Sequence, residues 1–182
     1  GDGVGYRTLP GTHPDKGAFF TRGTSRDEYA AYTESPDACQ RNMERLQLKW
    51  QTARGLVPKA EINGRGGRVG VLYYGTTSLP IPEALDKLAV SGIHLDTCRV
   101  RAFPFGEEVE AFVADHDLIF VVEQNRDGQM RTLLVNELQT DPAKLIPILY
   151  FAGLSISADF IDAQISEYYE EHKLARLTEV TS

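Results

Sequence analysis

Cysteine is scarce in this sequence. Only Cys39 and Cys98 occur, and neither sits in a C-x-x-C pair. A 4Fe-4S cluster of the usual kind takes four thiolates, so this chain supplies too few for one. No N-x-[ST] acceptor is present. Two unpaired thiols then fit a reducing compartment, and the expected location is cytoplasmic. The four histidines show no metal-ligand spacing, and no G-x-S-x-G nucleophile motif occurs. Positive charge is also short: 19 Lys and Arg stand against 26 Asp and Glu, a net charge of −7. Phosphate backbones repel such a chain, and its basic residues are scattered, so a nucleic-acid partner is not expected. The apolar run at 118–122 is five residues, far short of the roughly 20 that cross a bilayer, so no membrane partner is expected either. Gly1, not Met, opens the chain; we expect a segment of a longer polypeptide.

What is present is ordinary globular material. The chain has 182 residues, of which 42% are hydrophobic and 25% charged, enough for one domain with a real core and an appended arm. The arm is expected at 1–34, where glycines and two prolines, Pro10 and Pro14, interrupt any periodicity. It should be mobile unless a partner covers it. A helix is predicted over 36–54, with Ser35 as N-cap and Pro36 at its first position. Cys39, Met43, Leu46, Trp50 and Ala53 form one apolar seam along it. Gly55 and Pro58 end it. A glycine-rich basic turn at 63–68 then marks a boundary, giving an arm and linker helix over 1–66 and a folded domain over 67–182.

Strands and helices alternate beyond that boundary. Strands are predicted at 69–74, 95–100, 118–122 and 145–150, with helical stripes between them and after the last. The stretch at 118–122 is apolar throughout and should be central, covered on both faces. Pro147 places the last strand near an edge. The expected fold class is α/β: an open, mostly parallel, three-layer sheet.

Two glycine patterns invite cofactor readings and fail on context. Gly1-Asp2-Gly3 resembles the start of a thiamin diphosphate motif, but the Asn that motif needs roughly 25–30 residues later is missing. Gly64, Gly66 and Gly67 precede a strand, whereas a dinucleotide fingerprint sits between strand and helix. His116, flanked by Asp115 and Asp117, reads as part of a solvated loop.

Ligands and partners of open α/β sheets sit beyond the carboxyl ends of the strands. Three such ends carry unusual chemistry. Gly75 and Thr76 open a hydroxyl-rich turn that could cradle an anion or cap the next helix. Arg101, Phe103 and Phe105 surround Pro104 in an aromatic knob, a residue set found both in cores and at interfaces. Glu123 and Asn125 open a densely polar loop that should pair with neighbouring loops or with another subunit. These seven residues form the candidate interface or ligand face. Arg101 is expected to bond Glu123 across it, on strands taken as neighbours.

Four stretches carry a family resemblance: Tyr6 to Gly11, Thr21 to Thr24, Arg101 to Phe105, and Val121 to Gln129. The chain resembles the C-terminal part of the alpha subunit of a 2-oxoacid:ferredoxin oxidoreductase, closest to the 2-oxoglutarate type. The resemblance implies a transketolase C-terminal-like domain with a structural and subunit-interaction role. It implies an enzyme that decarboxylates a 2-oxoacid oxidatively, forms an acyl-CoA and passes electrons to ferredoxin. The whole enzyme would use thiamin diphosphate, magnesium and a 4Fe-4S cluster, none of them held by this chain, which then has no catalytic, cofactor-binding or metal-ligating residue of its own. The implied partners are the beta subunit, the upstream domains of the alpha subunit, and ferredoxin. The alternative reading is an autonomous small-molecule or nucleotide-binding α/β module using the Gly75 turn.

Overall fold

A computed structural model describes every residue except 7, 18–24, 28, 30 and 175–182. Arg7 and the stretch from Thr21 to Thr24 therefore lie outside the described residues. In chain order the elements are α1 (Pro36–Arg54), β1 (Glu61–Asn63), β2 (Val69–Tyr74), α2 (Ile81–Val90), β3 (Asp96–Val100), α3 (Glu107–Asp115), β4 (Leu118–Glu123), α4 (Gln129–Leu138), β5 (Leu145–Leu149) and α5 (Ala158–Glu171). They fall into two compact units, Gly1–Val57 and Pro58–Ser182.

In the first unit, α1 has the bounds its sequence signals predict, with Pro36 in its first turn and Gly55 as C-cap. The described arm residues attach to it through backbone groups. Arg45 donates to the Gly3 carbonyl at 3.0 Å, and Thr52 donates to the Asp2 carbonyl at 2.6 Å. Gly3 has φ +75° and lies where a Cβ would run into the α1 backbone at Arg45, Leu48 and Lys49. Glycine is thus required both by the conformation and by the close approach. The Asp2 side chain accepts from the Val4 amide at 3.0 Å, closing a local turn.

The second unit is a five-stranded sheet of order β1-β3-β2-β4-β5. β2, β3, β4 and β5 run parallel, and β1 is antiparallel to β3. This is the expected three-layer α/β class, matching a transketolase C-terminal-like fold. β4 lies inside the sheet, and Ile119 to Val122 are fully buried. Phe120 and Val122 face one apolar layer with Ile81, Leu88, Ile161 and Ile165 of α2 and α5. Ile119 and Val121 face the other, with Val109, Phe112 and Leu134 of α3 and α4. A strand covered on both sides has to be apolar at every position, which is why this one shows no alternation. β5 takes the edge that Pro147 required.

The sheet begins earlier than the boundary expected at 66/67. Glu61, Ile62 and Asn63 pair with Arg99, Cys98 and Thr97. Three exposed residues give no periodicity to read, so β1 is invisible in the sequence. The glycine-rich turn after it wraps a carboxyl group: Asp96 accepts from the Arg65 and Gly67 amides, each at 2.8 Å. The turn is thereby tied to the start of β3.

His116 is a correction to the sequence reading. It is buried, its ring 4.1 Å from that of Phe112, and its Nδ1 is 2.7 Å from the Phe112 carbonyl. Its Nε2 lies 3.4 Å from Asp96 Oδ2. Of its acidic neighbours, Asp117 pairs instead with Arg68.

Candidate functional site: the carboxyl end of the sheet

β2 lies between β3 and β4, and the helices that follow β2 and β4 sit on opposite faces of the sheet. That makes the carboxyl ends of β2 and β4 the topological switch point of the fold, where an open α/β sheet leaves a crevice. The loops after β2, β4 and β5 meet there.

Glu123, the last residue of β4, is fully buried. Its carboxyl group accepts from the Met130 amide at 2.7 Å, the Arg131 amide at 2.9 Å and Asn125 Nδ2 at 2.8 Å. Met130 and Arg131 are the second and third residues of α4. Their amides are among those a helix start leaves without partners. The residue before the helix is Gly128, with φ +61° and no side chain to cap with. Its left-handed turn folds α4 back so that a carboxyl group five residues upstream performs the capping.

Asn125 completes the loop. Its Oδ1 accepts from the Asp127 amide at 3.1 Å and the Gln129 amide at 3.3 Å, and its Nδ2 also reaches the Tyr74 hydroxyl at 3.4 Å. Burial pushes the Tyr74 hydroxyl pKa up, and nearby Glu123 adds to the effect.

Gln124, between them, joins three loops. Its Nε2 donates to the Thr76 and Thr77 hydroxyls, each at 3.1 Å, and its Oε1 accepts from the Ile156 amide at 3.3 Å. Gly75 and Thr76 begin a 3-10 turn, Gly75–Ser78, with Gly75 at φ +58°. The threonine hydroxyls therefore serve the β4 loop, and no side chain caps α2, whose N-cap is Pro80.

The aromatic knob after β3 is divided. Phe105 is buried in the α3/α4 layer, while Phe103 keeps about a third of its surface exposed. Their rings meet edge to face with centroids 5.1 Å apart. Arg101 does not reach Glu123. It lies 3.5 Å from Glu61 of β1, which also takes a bond of 3.0 Å from Arg99. The reason is topological: β3 and β4 are separated by β2, so the expected neighbour relation between the two loops does not exist.

The structure thus brings together Gly75, Thr76, Glu123 and Asn125, and it leaves Arg101, Phe103 and Phe105 at the other side of β2. Sequence reasoning missed Gln124 and Asp96. Both look like ordinary polar residues at strand ends, and only the sheet order shows what they face.

Cofactor chemistry finds little here. Among the described residues no group of three or more His, Cys, Asp or Glu could hold a metal ion. Cys98 is fully buried, and burial pushes its thiol pKa up to about 12, so it is held as the neutral thiol, the wrong state for a ligand or nucleophile. No described helix is long and apolar enough to cross a membrane.

No family model matches the sequence. The chain is 30% identical over 139 residues to subunit alpha of 2-oxoacid:ferredoxin oxidoreductase 2 from Aeropyrum pernix, which covers 73% of this chain and 21% of that protein. It thus spans about a fifth of the relative's length. Its fold matches a 2-oxoglutarate:ferredoxin oxidoreductase from Magnetococcus marinus, solved with 2-oxoglutarate, coenzyme A and succinyl-CoA. The TM-score is 0.76 and the identity 22%, over 91% of this chain and 29% of that one. An alpha chain of a probable 2-oxoacid ferredoxin oxidoreductase from Thermoplasma acidophilum is 23% identical at a TM-score of 0.43, over 62% and 97%. By sequence, the chain is related to one stretch of the alpha subunit of a 2-oxoacid:ferredoxin oxidoreductase; by fold, it matches one stretch of a 2-oxoglutarate:ferredoxin oxidoreductase.

Proposed function

We propose that this chain is the C-terminal domain of the alpha subunit of a 2-oxoacid:ferredoxin oxidoreductase, of the 2-oxoglutarate type, with a structural and subunit-interaction role. The observation that carries the reading is the 30% identity to an alpha subunit over 139 residues. The substrate type follows the Magnetococcus marinus enzyme whose fold this chain shares.

In this reading the whole enzyme decarboxylates the 2-oxoacid, forms an acyl-CoA and reduces ferredoxin. Thiamin diphosphate, magnesium and the 4Fe-4S cluster belong to its other parts. The residues here do not fit them: Cys39 and Cys98 lie in different compact units, and Cys98 is sealed in the core. The chain's own work is to present loops from a rigid sheet. The strand-end polar groups are engaged with one another, as Gln124 with Thr76 and Thr77 and Glu123 with α4 show. That internal satisfaction favours a scaffold over the alternative of an autonomous ligand-binding module.

Affinity capture tests the reading. The tagged 182-residue chain, co-expressed with the remaining alpha-subunit polypeptide and the beta subunit from the same genome, should hold both in a stable complex. Recovery of the chain alone, with the other polypeptides assembled without it, would overturn the assignment.

A further inference from the structure

We propose that His116 and Asp96 form a proton-operated latch: a proton taken up from solvent at His116 Nε2 closes an ion pair beneath the glycine-rich turn at 64–67, and return of that proton loosens the turn. The inference is independent of the proposed function, since it rests on the geometry of the second unit alone.

The first observation is a buried nitrogen without a partner. His116 keeps 6% of its surface exposed, and its Nε2 has no hydrogen-bond partner among the described residues. A buried polar atom in that state costs free energy. The other ring nitrogen, Nδ1, lies 2.7 Å from the Phe112 carbonyl. A carbonyl only accepts, so Nδ1 carries the hydrogen. In the neutral ring Nε2 is then a bare lone pair, and it faces Asp96 Oδ2 at 3.4 Å.

The second observation is that Asp96 is already committed. Its Oδ1 accepts from the Arg65 amide and its Oδ2 from the Gly67 amide, each at 2.8 Å. Such bonds favour the carboxylate. With the ring neutral, two acceptors confront each other in a buried place. One proton on Nε2 turns that confrontation into a charge-assisted contact. The Phe112 ring, its centroid 4.1 Å from that of the imidazole and tilted by 31°, also favours a cation there.

The remaining charges around the ring are engaged elsewhere. Lys144 Nζ donates to the Val113 and His116 carbonyls, and its charge opposes that of a protonated ring. Arg68 pairs with Asp117 and donates to the Asp115 carbonyl at 3.3 Å. Asp96 is thus the carboxylate that the imidazole meets.

The path of the chain shows what the latch holds. Asp96 opens β3 and grips the turn that joins β1 to β2. Gly64 packs so closely on its carboxyl group that a Cβ there would run into it. β1 is three residues long, lies at the edge of the sheet and pairs with β3. The turn and β1 therefore share one anchor, and the proton on His116 sets how firmly it holds. The sign is fixed: the folded chain offers the imidazolium a partner that the unfolded chain lacks, so the contribution is present in acid and is lost as pH rises.

The test is made on the whole chain. Nitrogen-15 spectra of the imidazoles should show His116 protonated on both nitrogens at pH 5 and on Nδ1 alone at pH 8, the interval in which histidine changes charge. Over the same interval the protection of the Arg65 and Gly67 amides, taken relative to the intrinsic exchange rate at each pH, should fall about tenfold. Protection of 119–122 should hold. His116→Gln should remove the fall, whereas His172→Gln, at an exposed histidine after α5, should keep it. Equal protection at the two pH values in the wild type, or a fall that persists in His116→Gln, would overturn the latch. So would a His116 ring protonated on one nitrogen alone at pH 5, a readout that needs no variant to fold.

Discussion

Glu123 concentrates the residue-scale argument. Its carboxyl group is removed from water and satisfies two amides at the start of α4. Glu123→Ala leaves both amides without their acceptor and opens space in the core. The expected loss is about 3 kcal/mol, read as a lower urea midpoint; an unchanged midpoint would remove the capping role. The sequence placed Glu123 correctly at the end of a buried strand and in a loop that needed partners. It did not show the partner, because a cap supplied from five residues upstream leaves no local signature of the S/T-x-x-E kind. Cys98 gives a second residue-scale outcome. With its thiol pKa pushed up to about 12 by burial, it should resist a disulfide reagent at pH 8.5 in the folded chain and react only after unfolding. The linkage has a definite sign. Above the unfolded thiol pKa the unfolded chain loses that proton while the folded chain keeps it, so the unfolded state binds fewer protons and stability falls as pH rises. Burial raises the Tyr73 and Tyr169 hydroxyls in the same direction. The urea midpoint should therefore decline between pH 9 and pH 12. A flat profile there, or rapid native labelling of Cys98, would contradict the buried placement.

At the scale of elements, Gln124 decides how the loops after β2, β4 and β5 are held. Gln124→Ala removes bonds to Thr76, Thr77 and Ile156. We expect a cost of about 1–2 kcal/mol and faster amide exchange confined to 75–79 and 150–157. Exchange raised evenly over the whole unit would mean that Gln124 supports the core and not the junction. Helices with long apolar stripes and the doubly covered strand were legible before the structure, because periodicity and continuous apolar runs survive in sequence. β1 was not, since three exposed residues have no period. Nor was the order of the strands. Reading β3 and β4 as neighbours brought Arg101 toward Glu123; the actual order puts β2 between them and gives Arg101 to Glu61. Pairings across a parallel sheet depend on crossovers, and a single sequence does not encode which side each crossover takes.

At the scale of the molecule, the two units differ in what sustains them. Among the described residues, every buried hydrophobic residue except Ala38 belongs to residues 58–182, and so does every strand. A chain shortened to 58–182 should unfold cooperatively with the same urea midpoint as the full chain. A markedly lower midpoint would show that residues 1–57 supply part of that core. The sequence predicts an arm and a linker helix over 1–66, and α1 has the bounds expected for that helix. The central claim is the proposed one, that the chain serves as a folded scaffold within a larger oxidoreductase. The measurement that tests it most directly is reduction of ferredoxin dependent on 2-oxoglutarate and coenzyme A, by the other polypeptides of the enzyme with and without this chain. The account expects activity only from the assembled mixture and none from the chain alone. Full activity from the other polypeptides in its absence would contradict it.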